Sequence, residues 1–170
     1  MQFWTKKKII TFAVIITTLF ISCVKESTDN IAFTGITKTD EQGFIISKDT
    51  TDWRFTDIWK DKEINLFTSQ NSSNCQKTFD YKIIVFPNPN KGYFFINTKM
   101  PNSSMAEFRL VDEKFNKIIS LDSIVTSDTF NFKDILFDVR SFNKKGMLRL
   151  YYKIIEDNCE FRGHGDILVE

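Results

Sequence analysis

Residues Ile83–Ile96 read IIVFPNPNKGYFFI, two apolar runs around a Pro-Asn-Pro-Asn-Lys-Gly turn. Ile83–Phe86 and Tyr93–Ile96 are short, rich in β-branched and aromatic residues, and bounded by turn formers, which is strand chemistry. Both faces of each run are apolar, since Ile83 and Val85 point opposite to Ile84 and Phe86. That pattern predicts strands covered on both sides. Pro87 and Pro89 bias Phe86 and Asn88 toward extended backbone, and Gly92 supplies a position that accepts positive φ. The stretch is expected to be a pre-organised corner between two core strands. Nothing in Asn88, Asn90 or Lys91 forms a catalytic set.

Toward the C-terminus the strand signals continue. Ala106, Phe108 and Leu110 alternate with Glu107 and Arg109, which predicts a strand with one wet face. Asp112–Asn116 is a turn and Lys117–Leu121 a returning strand. Asp128–Phe132 and Ile135–Val139 are short strands, and Met147–Ile155 is a long one. Asp157–Gly165 reads as a polar loop, with His164 exposed at a turn tip between Gly163 and Gly165, before a closing strand at Asp166–Glu170. Short strands at this spacing predict an all-β fold. The expectation is a single immunoglobulin-like antiparallel β-sandwich of about seven strands over residues 51–170, with a short helix or irregular segment on its N-terminal side.

That N-terminal side is WRFTDIWKDKEINLF at Trp53–Phe67. A short helix near Asp57–Ile64 followed by a strand at Ile64–Phe67 fits its pattern. Trp53 and Trp59 have two readings. Exposed and coplanar, they would stack on a sugar ring and make a carbohydrate-binding module. Buried, they would plug one end of the core, where large aromatics bury most area. Gly43–Ser47 is a possible edge strand.

The first 22 residues carry a basic cluster, Lys6–Lys8, then an apolar run, Ile9–Ile21, then Ser22-Cys23. The apolar run is short for a membrane span and has the flanks of an export signal. Phe20-Ile21-Ser22-Cys23 resembles the lipobox of bacterial lipoproteins, with Phe20 where Leu is usual. The resemblance implies a signal peptide at 1–22 and acylation of Cys23. A lipidated tether at 23–50 would follow, and the protein would sit on a lipid bilayer in the cell envelope, on the periplasmic or surface face of the outer membrane. An ordinary signal peptide with a chance cysteine is the rival. Two or more acyl chains anchor stably where one does not.

The central stretch carries a second resemblance. Phe86, Pro87, Asn88, Pro89, Gly92, Phe94 and Ile96 resemble the opening of the type A C-terminal sorting domain of the Bacteroidetes type IX secretion system. It would cover Tyr81–Glu170. Asn116 stands where that family has Gly, and Leu148 where it has Tyr. The resemblance implies an immunoglobulin-like fold and, taken literally, a secretion signal removed after export.

The three cysteines are an odd number. With Cys23 taking lipid, Cys75 and Cys159 are left as a disulfide pair in an oxidising compartment. A metal site using His164, and a Cys159–His164 nucleophilic pair, are the alternatives; neither has supporting residues around it. Lys6, Lys7 and Lys8 supply three of 23 basic residues and no acid precedes Cys23, so the mature part has 20 against 22, a net charge of −2. No basic patch speaks for nucleic acid. No phosphate-binding glycine loop, nucleophile elbow or zinc helix is present, so neither an enzyme nor a cofactor is expected. Asp122-Ser123-Ile124 resembles the Bacteroidetes O-glycosylation motif. The function expected is that of a non-catalytic binding or assembly module, whose partner is an envelope protein or a glycan.

Overall fold

A computed structural model of the chain describes residues 31–55, 58–68, 75–76, 79–102, 104–125 and 132–170, with the backbone alone at 123–125 and 132. Residues 32–170 form a compact unit. Its strands are β1 (Lys38–Thr39), β2 (Ile45–Ser47), β3 (Lys82–Phe86), β4 (Tyr93–Lys99), β5 (Met105–Asp112), β6 (Lys117–Val125), β7 (Phe132–Asp138), β8 (Gly146–Glu156) and β9 (Cys159–Val169), with a short α-helix, α1 (Asp61–Ile64), and a 3-10 turn at Arg140–Phe142 among the described residues. Two antiparallel sheets, β3-β4-β7 and β6-β5-β8-β9, face each other, and β1 and β2 form a small third sheet. The fold is all-β, as the strand spacing predicts.

The core lies where the two sheets meet. Ile83, Val85, Phe94, Ile96 and Phe137 come from one sheet, and Phe108, Leu110, Leu150, Tyr152, Ile154 and Ile167 from the other. Period-2 alternation puts these side chains on the inner faces. The outer face of β3 and β4 is less covered than two-sided apolarity predicts: Tyr93 is 44% and Phe95 36% exposed. Their apolar character is a surface property, not a second core.

Two expectations about local structure are corrected. No strand forms at Ile64–Phe67; α1 ends at Ile64 and a turn follows. Asp157–Gly165 is not a loop, because β8 and β9 are long strands joined at a tight turn where Asp157 takes φ of 52°. His164 therefore sits within β9, half-buried, with its ring 6.0 Å from that of Tyr151. Long-range pairing with β8 overrode the local polar composition. In the β5–β6 turn, the left-handed position falls on Phe115 (φ 66°) and not on Asn116. Asn116 instead donates its backbone N–H (2.8 Å) and side-chain amide (3.1 Å) to Asp112.

The wet face expected of β5 is also dry. Glu107 and Arg109 are buried because the segment containing α1 packs across the outside of the four-stranded sheet. Trp59, Leu66 and Phe67 of that segment cluster with Val111 and Tyr151. Each cation on this face meets an aromatic ring: Arg149 lies 4.4 Å from Phe33, Arg109 4.9 Å and Lys153 5.1 Å from Phe67, and Arg162 5.4 Å from Trp59. Carboxylates complete the layer. Arg149 pairs with Asp166 at 2.5 Å, Lys153 with Glu107 at 3.2 Å, and Arg109 with Asp122. Buried charges need such partners to be tolerated. Asp166→Ala would leave Arg149 buried and unpaired, at an expected cost of about 3–5 kcal/mol in chemical denaturation.

Candidate functional site

The Pro-Asn-Pro turn does more than connect β3 to β4. Past Phe86 the chain crosses from its own sheet to the other one. Asn88 bridges to Thr39 and Asn90 runs beside Val169 of β9. Gly92 holds φ of 91°, the left-handed backbone the sequence required of it. Both peptide bonds into Pro87 and Pro89 are cis. Asn88 is fully buried. Its amide donates to the carbonyls of Thr37 (2.9 Å) and Asp166 (3.0 Å), and its side-chain oxygen accepts from the Leu168 N–H (2.9 Å).

These bonds belong to a larger device that seals one edge of the sandwich. β9 is an edge strand, and from His164 onward its outward groups are matched in order. His164 O accepts from Trp53 N (2.8 Å), and Asp166 N donates to Asp52 Oδ1 (3.0 Å). Asp166 O and Leu168 N meet the Asn88 side chain. Leu168 O accepts from Asn90 N and Glu170 N donates to Asn90 O, each at 2.9 Å. Blocking an edge in this way prevents pairing with another chain. The glycines around His164 serve the same seam. A Cβ at Gly165 would lie 2.3 Å from the Trp53 ring, and one at Gly163 would lie 1.7 Å from Arg54 O. The Gly-His-Gly pattern is thus a close-approach signal that sequence reading took for a turn.

Asp52 is the strained member of the seam. It is 2% exposed, and burial pushes its carboxyl up to about 6, with neighbouring Asp166 adding to the effect, although the N–H groups of Asp166 and Thr37 favour the ionised form. An acid whose folded pKa lies above its ordinary value holds its proton more tightly when folded. Its contribution therefore favours folding as pH falls from about 7 to about 4, on the order of 2–3 kcal/mol. Asp52→Asn is expected to flatten that part of the stability profile, read from urea midpoints at several pH values across this range.

Beside the seam lies a cleft of about 390 Å³ between the β1–β2 hairpin and β3, with Ile45, Lys48, Trp53, Tyr81, Ile84 and Asn97 on its walls. It opens onto an exposed apolar surface. Phe86 stacks on Phe95 with ring centres 5.6 Å apart, and Phe95 pairs in register with Leu136. A Cβ on Gly43 would lie 3.3 Å from the Phe86 ring, which brings the hairpin against the same row. Phe44 (72%), Ile46 (69%) and Leu136 (57%) are exposed. Sequence reading missed this surface because it assigned the apolar outer residues of β3 and β4 to a core.

The other sequence-predicted residues resolve as follows. Cys75 and Cys159 are joined, with an S–S distance of 2.12 Å and a Cα–Cα distance of 5.9 Å. Trp59 is buried and stacks on Phe67, 5.0 Å between ring centres. Trp53 belongs to a different cluster, packed 6.2 Å from Tyr152. The two indoles make no shared exposed platform, which corrects the sugar-stacking expectation for this pair. Asp122 forms its ion pair with Arg109, while the side chains of Ser123 and Ile124, like Cys23 and the rest of the first 30 residues, lie outside the described residues. Among the described residues there is no cluster of metal-ligating side chains. No described helix is long and apolar enough to cross a membrane. No family model, curated protein or solved structure matches this chain.

Proposed function

We propose that the chain is a small cell-envelope lipoprotein of the outer membrane, anchored through acylated Cys23, whose sandwich is a non-catalytic binding or assembly module for an envelope protein. The exposed, register-paired Phe95 and Leu136, with half-buried Phe86 stacked on Phe95 and exposed Phe44 and Ile46 on the neighbouring hairpin, are the observation that carries this reading. Exposed contiguous apolar surface is what protein-interaction sites share. The neighbouring edge is sealed, so recognition falls to side chains on this face and not to strand addition at β9.

Taking β3 to β9 as strands A to G, the sheets hold A, B, E and D, C, F, G. An immunoglobulin constant domain has the fourth strand on the other sheet; here it pairs as the extra strand of variable domains does. We read the sandwich as immunoglobulin-like on that basis.

The rival reading makes 81–170 a removable sorting signal. It has the Pro-Asn-Pro resemblance in its favour. Against it stand Asp52, Trp53 and Thr37, which seal β9 and hold Asn88, and the Cys75–Cys159 bridge, which ties residues on both sides of Tyr81. Intact mass of the protein from the envelope, before and after reduction, separates the two. The proposal expects a chain from acylated Cys23 to Glu170 that gains two hydrogens on reduction; truncation near Tyr81 favours the rival. Phe44→Glu with Leu136→Glu should change stability by no more than about 0.5 kcal/mol while abolishing cross-linking to the envelope partner. Unchanged cross-linking would move the binding face elsewhere.

A further inference from the structure

At one end of the sandwich, a cleft of about 230 Å³ is walled by Lys91, Arg140, Lys144 and Lys145, with Glu170 the one acidic wall residue. The cleft is built by three separate pieces of chain: the β3–β4 corner, the loop entering β8, and the end of β9. Arg140 and Lys144 are held in place by single carboxylates, Asp138 at 2.5 Å and Asp112 at 2.8 Å. Lys91 and Lys145 are exposed. The Arg140 guanidinium lies 5.3 Å from the ring centre of Tyr93, which is 44% exposed, and Phe142, two residues on, is 45% exposed. Asp138 and Asp112 offset Arg140 and Lys144, which leaves Lys91 and Lys145 against the single carboxylate of Glu170, and an anion in the concavity answers that surplus of positive charge. Aromatic rings beside cations are the pattern of a surface that meets membrane headgroups.

The first described residues lie in the same half of the sandwich. Arg149 donates to the Ala32 carbonyl at 3.1 Å, and Arg149 is three residues into β8, which starts at Gly146. At about 3.3 Å per residue, that puts Ala32 roughly 10 Å from the basic end along the strand. Nine residues separate Ala32 from Cys23, a covalent reach of at most about 32 Å. Cys23 is therefore within covalent reach of the basic end.

We propose that this cleft binds a phosphate group, and that in the envelope the phosphate is that of a phospholipid headgroup, so that the Lys91–Lys145 end of the sandwich rests on the membrane. The membrane source rests on the lipoprotein reading; the phosphate site does not. Docked in this way, the anchor and the cleft fix the sandwich upright and leave the Phe95–Leu136 face, on a side and not an end, open to a partner.

The test uses the mature protein from the envelope, its acylation state read first by intact mass. It is added to vesicles of phosphatidylcholine alone or of phosphatidylcholine with phosphatidylglycerol, and amide exchange is followed by mass spectrometry. Peptides covering residues 91–93 and 139–146 should exchange about fivefold or more slowly on the anionic vesicles, since each cation near such a surface contributes about a fivefold bias. Lys91→Glu with Lys145→Glu, at two exposed positions, should remove that protection while the chain stays folded and acylated. Inorganic phosphate without vesicles is the second arm. Protection by phosphate and not by the vesicles would keep the phosphate site and overturn its membrane source. Equal exchange in every condition, or protection that survives the charge reversal, would overturn the site itself. A chain found without acyl groups would sink the anchor and leave the phosphate arm as the deciding result.

Discussion

Opening the Cys75–Cys159 bridge is expected to lower the stability of the sandwich by about 4–5 kcal/mol. The bridge closes a loop of 84 residues, and in the chain-entropy description such a closure removes that much conformational freedom from the unfolded chain. The cost is concentrated because of where the bridge sits. Cys159 begins β9, and Cys75 lies in the segment that leads into β3. Both pack against the hydrophobic core as partly buried residues. The measurement is the urea midpoint of the oxidised protein against that of the Cys75→Ser, Cys159→Ser double variant. A loss below about 1 kcal/mol would mean that the unfolded chain is already compact enough for the link to constrain little. Reduction of the wild-type chain should reproduce the variant's midpoint.

Asn88→Ala is expected to cost about 3–5 kcal/mol, the second large effect. The substitution removes three hydrogen bonds at once. It also leaves the Thr37 and Asp166 carbonyls and the Leu168 N–H without their partner in a buried place. Each bond contributes about 1 kcal/mol and each stranded group adds its own desolvation. Asn90→Ala is the control. Asn90 meets β9 through its backbone, which alanine keeps, and its side-chain oxygen accepts only from Gly92 N at 2.8 Å. That change should cost about 1 kcal/mol. Hydrogen exchange at Leu168 reports the difference locally, rising sharply for Asn88→Ala and little for Asn90→Ala. Equal losses in the two variants would show that the corner acts as a plain turn and that the seam is held by something else. Comparable destabilisation of β1 and β9, read in the same exchange experiment, would show that one side chain holds both.

Strand chemistry was legible wherever short-range pattern and long-range pairing agreed. Ile83–Phe86 and Tyr93–Ile96 are strands because β-branched and aromatic residues suit a pleated, packed surface whatever lies next to it. Gly92 takes positive φ, here 91°, because without a Cβ it does so at less steric cost than any other residue in PNPNKG. The cysteine arithmetic pointed to Cys75 and Cys159, and the two are bonded. Where pattern and pairing disagreed, pairing prevailed. Asp157–Gly165 has the composition of a loop, yet seven register pairs with β8, at Cys159–Gly165, hold most of it in a strand.

The candidate binding face was hidden for a related reason. An apolar residue in a strand announces that it avoids water in most folds, not which layer covers it. Phe95 and Ile96 are neighbours of the same chemistry; one is 36% exposed and the other fully buried. The difference is that Ile96 faces the second sheet, whereas Phe95 lies on the outer face with the Phe86 ring beside it and no second layer over it. Charge misled in the opposite sense. Glu107 and Arg109 read as a wet face, but a segment some 40 residues earlier folds across them and supplies Phe67 and the Leu66 carbonyl, 3.0 Å from Arg109 Nε.

By itself, then, the sequence determined the class of fold, the corner at Pro87–Gly92 and the cysteine pair. All three follow from local backbone preference or from counting, which need no knowledge of neighbours. Only the tertiary structure decided which apolar face is core and which is surface, that Asn88 is a buried junction between two sheets, and that four cations from two distant pieces of chain meet around one cleft. Those are facts of juxtaposition. They depend on which residues the closed sandwich brings within a few ångströms, and period-2 alternation along one strand does not carry that information.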